Sequence, residues 1–263
     1  MSESAGGWVH PDVLPAGMVL CHLAEADSTN RVALDAAEAG MAAGFTVVAH
    51  RQTAGRGRQG RPWFTGPGSL AVSFLRRPDI PPAQAWAMTL AAGLAAQGLH
   101  PDTWLKWPND LFIGERKAGG ILCELRTRAE RVEAVVVGIG LNLSTPEGGW
   151  PGELEGRAAA LHELDPALAQ HAGTLGGLAE GLLRWEEELV LRGPGALVAA
   201  AARAMGPMLG RTVQVEGRDG RLAPARVLGM GQNGALIVEQ DGRRRELLAG
   251  DVHLGAPGAA WTD

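Results

Sequence analysis

The side chains best suited to chemistry in this sequence lie in the run from His50 to Trp63, which holds four arginines and three glycines. Alternation at Gly55-Arg56-Gly57-Arg58, and again at Gly60-Arg61, cannot build a core. Glycine lets backbone N–H groups approach a ligand, and the guanidinium fork suits phosphate or carboxylate. Trp63 adds an apolar anchor at the far end. Such a loop is expected to be mobile when empty and to order around an anion. A solvated loop, or a basic patch for nucleic acid, fits the same composition.

Three further stretches carry candidate chemistry. In Lys106-Trp107-Pro108-Asn109-Asp110, proline ends a strand and leaves a carboxamide beside a carboxylate, where a polar ligand or metal-bound phosphate could be oriented. The same composition also makes an ordinary turn. In Arg116-Lys117-Ala118-Gly119-Gly120, a lysine enters a strand where two glycines leave little bulk, within reach of an anion across the sheet; a surface lysine before a hairpin is the plainer alternative. Gly138-Ile139-Gly140-Leu141-Asn142-Leu143 is an apolar strand whose glycines fit close approach of a ligand or another backbone, and fit a packing reason equally. The cluster Asp27-Ser28-Thr29-Asn30 stands where a helix cap belongs. No nucleophile–base arrangement stands out, and the seven histidines are scattered without metal-ligand spacing. Glu186-Glu187-Glu188 reads as the solvated face of a helix. The chemistry expected is therefore electrostatic, with cations and amides around phosphate and no protein nucleophile.

The elements that position these residues follow from periodicity. Val19–Leu23, Phe45–Ala49, Leu70–Leu75, Trp104–Trp107, Gly120–Leu125 and Val132–Leu143 are expected strands, the last two joined by a polar turn over Arg126–Arg131. Helices are expected from the Asp27–Thr29 cap to about Ala39, from Pro81-Pro82 to Gly98, over most of Ala158–Val190, and over Ala196–Met205. Adjacent strand pairs among helices indicate an α+β fold, a mixed β-sheet with packed helices. From Leu209 the texture changes to short alternating runs separated by Asp219-Gly220, Asn233-Gly234 and Asp241-Gly242, which predicts an antiparallel meander, a small C-terminal SH3-like β-barrel. The expected division is 1–207 for a catalytic domain and 208–263 for the small one.

Totals narrow the function. A net charge of −5 over 263 residues argues against a general nucleic-acid binder and makes the arginines a local feature. Cys21 and Cys123 match no metal spacing and suit a reducing compartment. Without a signal pattern or an apolar run long enough to cross a bilayer, a cytoplasmic location and no membrane partner are expected. Residues 1 to about 20 read as an extended lead-in, too short for a helix-turn-helix domain.

Taken in order, Ser28-Thr29-Asn30, Gln52-x-x-Gly55-Arg56-Gly57-Arg58-x-Gly60-Arg61-x-Trp63, Lys106 to Asp110, Lys117 to Leu122 and Gly140-x-Asn142 resemble the biotin–protein ligases, in their short form without the N-terminal DNA-binding domain. The resemblance covers about Asp27 to Leu143, and the terminal meander fits the small domain of that family. It implies a catalytic domain like that of class II aminoacyl-tRNA synthetases. The implied reaction activates biotin with Mg²⁺-ATP to biotinyl-5′-AMP and then transfers biotin to a lysine of a biotin carboxyl carrier domain of an acyl-CoA carboxylase. No nucleic-acid partner, and a monomer or homodimer, go with it.

By the same resemblance, Lys117 contacts the biotin carboxylate and α-phosphate, and Arg58 holds the adenylate phosphate. Ser28, Thr29, Asn30 and Gln52 line the ureido end. Gly55, Arg56, Gly57 and Gly60 wrap the ligand, Trp63 closes over it, Gly120 leaves room for it, and Asn109, Asp110 and Asn142 organise the nucleotide. No protein metal site is expected. Pro62, Ala118 and Leu70-Ala71-Val72 depart from the usual pattern locally. A lipoate ligase on the same fold and a non-enzymatic adenylate sensor or nucleic-acid binder are the rival readings.

Overall fold

The computed structural model describes residues 11–216, 221–248, 250 and 252–254. The first ten residues of the expected lead-in, and the turn expected at Arg218-Asp219-Gly220, lie outside them. The larger of two sheets has seven strands: β1 (Val19–Ala26), β2 (Phe45–Gln52), β3 (Ser69–Arg76), β4 (Thr103–Lys106), β5 (Asp110–Ile113), β6 (Arg116–Arg128) and β7 (Arg131–Asn142), ordered β1-β2-β3-β7-β6-β5-β4. β1 runs parallel to β2 and the remaining neighbours are antiparallel, so the sheet is mixed, as expected. Helices α1 (Thr29–Glu38), α2 (Ala87–Gln97), α3 (His171–Arg192) and α4 (Pro194–Ala204) accompany it.

Successive side chains of a strand point to opposite faces, and here the two faces differ in bulk. On one, Leu70, Val72 and Phe74 of β3 pair with Leu141, Ile139 and Val137 of β7, and Ile121 of β6 lies beside Ile139. These join Met88, Leu90 and Leu94 of α2 and Leu175, Leu178 and Leu182 of α3 in the main core. Each such side chain contributes about 1.5–3 kcal/mol on full burial, so this face carries the stability. On the other face α1 sets Ala33 and Ala37 on Val47, Leu75, Ala134 and Val136. Beyond α1 the cross-strand partners Ala71, Gly140, Gly120, Asp110 and Lys106 form one row from β3 to β4. Small residues floor this row as a trough that the Trp63 ring fills above Gly140 and that ends on the two charges of Asp110 and Lys106.

Several expectations need correction. Glu186 is not solvated: its carboxylate takes two bonds from Arg76 (Nε–Oε2 2.6 Å, Nη2–Oε1 3.1 Å) and ties α3 to β3. The helix expected over Ala158–Val190 begins only at His171. Before it, Ala158 bridges to Lys117, and the Arg157 carbonyl and Ala159 N–H bond the Lys117 backbone at 2.8 and 2.9 Å, which demands extended chain. Short 3-10 turns at Leu161–Glu163 and Pro166–Ala169 follow. Pro82–Gln84 also forms a separate 3-10 turn, and α2 starts at Ala87 with Gly98 as its C-cap. The polar turn over Arg126–Arg131 shrinks to Ala129-Glu130, both at positive φ (47° and 61°), because β6 and β7 pair through the rest. Ser28 is the N-cap residue of α1, but its hydroxyl makes no capping bond. Strand β5 was not expected at all.

The smaller sheet, β8 (Thr212–Glu216), β9 (Leu222–Met230), β10 (Leu236–Gln240), β11 (Arg243–Leu247) and β12 (Val252–His253), is antiparallel in the order β11-β10-β9-β8-β12, as the meander predicted, with β12 unforeseen. Asp241-Gly242 (φ 52° and 69°) turns β10 into β11. The sheet's Val213, Val227, Leu236 and Val238 belong to the same core as Trp107, Met205 and Met208. The Trp107 indole donates to the Gly234 carbonyl (3.0 Å), and the Trp86 ring fills the space above Gly234, where a methyl group would meet it at 2.5 Å. No helix among the described residues is long and apolar enough to cross a membrane.

Candidate active site

Lys117 stands at the charged end of the trough. Its main chain is pinned on both sides by Arg157 and Ala159, and the buried Asn142 donates to the carbonyls of Ala159 (3.0 Å) and Lys117 (3.4 Å). Its side chain is held less firmly, 38% exposed, with Nζ 2.7 Å from Asp110 Oδ1 and 5.6 Å from the Trp63 ring centroid. The ammonium and Asp110 lie against the open face of Gly120, where a methyl group would be in ordinary contact with both (3.4 and 3.6 Å). Lys106 approaches the other oxygen of the same carboxylate (3.6 Å).

The turn between β4 and β5 brings the arginine loop to this point. Asn109 is locked to β6, its Nδ2 donating to the Ile121 carbonyl (2.6 Å) and its backbone carbonyl accepting from Ile121 N–H (2.9 Å). Its Oδ1 then faces outward and accepts from Arg58 Nη1 (3.3 Å). The loop is closed at its root by Thr53 and Ala54 N–H bonds to the carbonyls of Ala26 and Asp27, and by the Trp63 N–H bond to Gly55. Gly55 is buried between the Trp63 carbonyl and Gln52, where a methyl group would come within 2.7 Å; glycine is required there. Gly57 bonds back to the Arg61 carbonyl, and Gly60 has φ +72°. Arg56, Gly60 and Arg61 remain at the surface.

At the far end of the trough the first turn of α1 carries a chain of polar contacts. Thr29 N–H and Oγ1 both donate to Gln52 Oε1 (2.9 and 3.2 Å), and Gln52 Nε2 donates to Thr65 Oγ1 (3.2 Å). Ser73 Oγ lies 2.8 Å from Thr29 Oγ1 and 2.6 Å from Asn30 Oδ1, and Asn30 Nδ2 donates to the Leu122 carbonyl and Glu124. Ser28, Thr29 and Asn30 are all buried, so the cluster is part of the floor and wall rather than a solvent-facing cap. Asn30 packs against Gly138 and the Trp63 ring against Gly140, each occupying the place of a β-carbon. The Trp63 indole N–H is buried with no partner among the described residues. An orphaned donor beside a cation at a sheet face is an invitation to an acceptor group.

Contacts thus join Lys117, Asp110, Asn109 and Arg58 at one end and Thr29, Asn30 and Gln52 at the other, whereas Arg56 and Gly60 stay at the surface and Asn142 is committed to backbone carbonyls beneath Lys117. Sequence reasoning missed Ser73, Thr65 and the Arg157–Ala159 segment, none of which carries a motif. It also missed that His22 and His50, distant in sequence, stack with ring centroids 4.6 Å apart, near His171 and outside the trough. Burial, then the neighbours His22 and His171, lowers the His50 pKa; burial lowers that of His171 against its bond with the Ser69 carbonyl. Both cysteines are free thiols, and burial pushes Cys123 up to about 12. No trio of His, Cys, Asp or Glu side chains among the described residues converges to hold a metal.

Comparison with known proteins gives this arrangement its family. The model of the biotin/lipoate A/B protein ligase family matches residues 23–142, a span that runs from within β1 to the end of β7. A biotin–[acetyl-CoA-carboxylase] ligase of Paracoccus denitrificans is 32% identical over 252 residues, covering 89% of this chain and 99% of that protein. The chain belongs to the biotin–protein ligase family. A second such ligase, from Mycobacterium tuberculosis, is also 32% identical, over 95% of this chain and 91% of its own. The structure of a biotin protein ligase from Aquifex aeolicus in complex with biotin and ATP superposes with a TM-score of 0.72 at 26% identity, covering 89% of this chain and 97% of that one. The ligase fold therefore spans both sheets.

Proposed function

We propose that this chain is an ATP-dependent biotin–[acetyl-CoA-carboxylase] ligase, with residues 1–207 as its catalytic unit and 208–263 as a small C-terminal unit, working in the cytoplasm. The observation that carries the reading is the convergence of Lys117 and Arg58 on the Asn109-Asp110 turn at the end of a glycine-floored trough. Joining a carboxylate to a triphosphate brings two anions together, so positioned cations are the main requirement. Lys117 exchanges Asp110 for the biotin carboxylate and the α-phosphate it attacks, and pyrophosphate leaves. Arg58 holds the phosphate of the resulting biotinyl-5′-AMP, with backbone N–H groups of Gly55, Arg56 and Gly57 beside it. A lysine amine of a biotin carboxyl carrier domain then attacks the mixed anhydride, forms the amide, and releases AMP.

At the other end, Ser28, Thr29, Asn30 and Gln52 face biotin's ureido group, which both donates and accepts, as carboxamides and hydroxyls do. Trp63 walls the acyl chain and offers its unused N–H. Asn109 and Asp110 serve the nucleotide side, and Asn142 holds Lys117 from beneath. Magnesium commonly reaches nucleotide sites on the phosphates, with only one or two protein carboxylates. Asp110 and Asn109 are the oxygen donors that fit this, and the ion would neutralise polyphosphate charge there. The test is biotin-dependent pyrophosphate release from ATP, followed by label transfer to an apo carrier domain. Release and transfer are expected; release with lipoate but not with biotin would overturn the assignment.

A further inference from the structure

Two ammonium groups share one carboxylate at the end of the trough. Lys117 Nζ sits 2.7 Å from Oδ1 of Asp110, and Lys106 Nζ sits 3.6 Å from Oδ2. The two lysines are held very differently. Lys106 is the direct cross-strand partner of Asp110 in the β4–β5 hairpin, is only 12% exposed, and lies over the Phe112 ring at 5.7 Å. Lys117 is 38% exposed and faces the open side of Gly120. One cation is built in and the other is free to move.

We propose that Lys106 is a positioning residue for biotin activation, acting through Asp110 to let Lys117 go. The proposal rests on the ligase reading above. When Lys117 swings to the reacting carboxylate and phosphate, Asp110 loses its nearer cation just as negative charge arrives beside it. Lys106 keeps Oδ2 compensated and holds the carboxylate in place in the β4–β5 hairpin. By sharing Asp110 it also loosens the grip of that carboxylate on Lys117. Without Lys106 the carboxylate has lost this built-in cation, and Lys117 stays parked on it.

The experiment is a double-mutant cycle on biotin-dependent pyrophosphate release by the full chain. Lys106→Met is expected to lower kcat by about tenfold to a hundredfold, the scale of a misplaced reacting group, with the biotin Kd from calorimetry changed less than about twofold. Lys106→Arg is expected to recover part of the loss because it restores the cation; a packing role over Phe112 is told apart by the Asp110→Asn background, in which it would persist. In an Asp110→Asn background, Lys106→Met should cost almost nothing further, because the group it acts on is gone. The same fold-loss in both backgrounds, or Lys106→Arg as poor as Lys106→Met, overturns the proposal and leaves the ligase reading intact. Failure of the unsubstituted protein to release pyrophosphate with biotin overturns that reading, and the proposal with it, before any variant is made.

Discussion

Lys117 is fixed at its backbone and loose at its tip, and that combination separates chemistry from stability. Its carbonyl and N–H are held by Arg157, Ala159 and Asn142, bonds that survive truncation of the side chain. Its ion pair with Asp110 is partly exposed, and such pairs contribute about 1 kcal/mol or less. Lys117→Ala should therefore reduce biotin-dependent pyrophosphate release by at least about a hundredfold while moving the urea midpoint little. Parallel losses in both would make the lysine structural. Gly138 presents the reverse case. A methyl group there collides with Asn30, which cannot step aside without giving up its bonds to Ser73, Leu122 and Glu124. Gly138→Ala should destabilise the fold by about 1–3 kcal/mol, the usual cost of overpacking, measurable by urea denaturation.

Among the elements, β3 and α3 are joined by the Arg76–Glu186 pair, both side chains at or below 13% exposure. Removing one partner of a buried pair strands the other, so Glu186→Ala should cost about 3–5 kcal/mol; a midpoint unchanged from the parent would mean that water compensates Arg76. The arginine loop behaves differently. Its root is closed by the backbone bonds of Thr53, Ala54 and Trp63, while Arg56, Gln59 and Gly60 are exposed at a tip tied by the Arg56–Pro62 bridge, by Gly57 to Arg61 and by Arg58 to Asn109. Hydrogen exchange over that tip should slow markedly with the adenylate bound, and equal protection with and without ligand would refute an ordering loop. Elements whose signal is local were legible in sequence: the β-branched runs of β2 and β7, the end of α1 near Ala39, the Asp241-Gly242 hairpin. Elements decided by distant partners were not. The Ala-rich 158–170 segment has helical composition, yet Lys117 claims its backbone for a bridge. Strand β5 is only four residues long and hides behind a proline turn. Glu186 looked like its exposed neighbour Glu187 because nothing near it in sequence announces Arg76. The site was legible as a set of motifs, whereas its contacts through Ser73, Thr65 and Lys106 needed the fold.

For the molecule as a whole, acid is the expected weakness. Folding lowers the pKa of His50 and of His171 below the ordinary 6.5, first through burial. The unfolded chain therefore takes up protons before the native state does, so the stability these groups contribute is complete above pH 6.5 and falls as pH drops through that value toward the folded ones. The urea midpoint should decline between about pH 7.5 and pH 5.5; a flat profile would show that His50 and His171 accept protons without strain. The core that links both sheets makes such a loss global, since Trp107 joins the site turn to the small sheet.

The trough has one more consequence. At Gly138 and Gly140 the sheet is already at the lower limit of side-chain size, and the missing atoms are replaced by Asn30 and Trp63 rather than by empty space. Nothing can be carved deeper there, and nothing can be added without displacing a wall. Divergence toward a bulkier or slimmer acid is thus confined to positions on the first turn of α1 and on the arginine loop. The sheet beneath is a fixed datum against which those two movable sides are set.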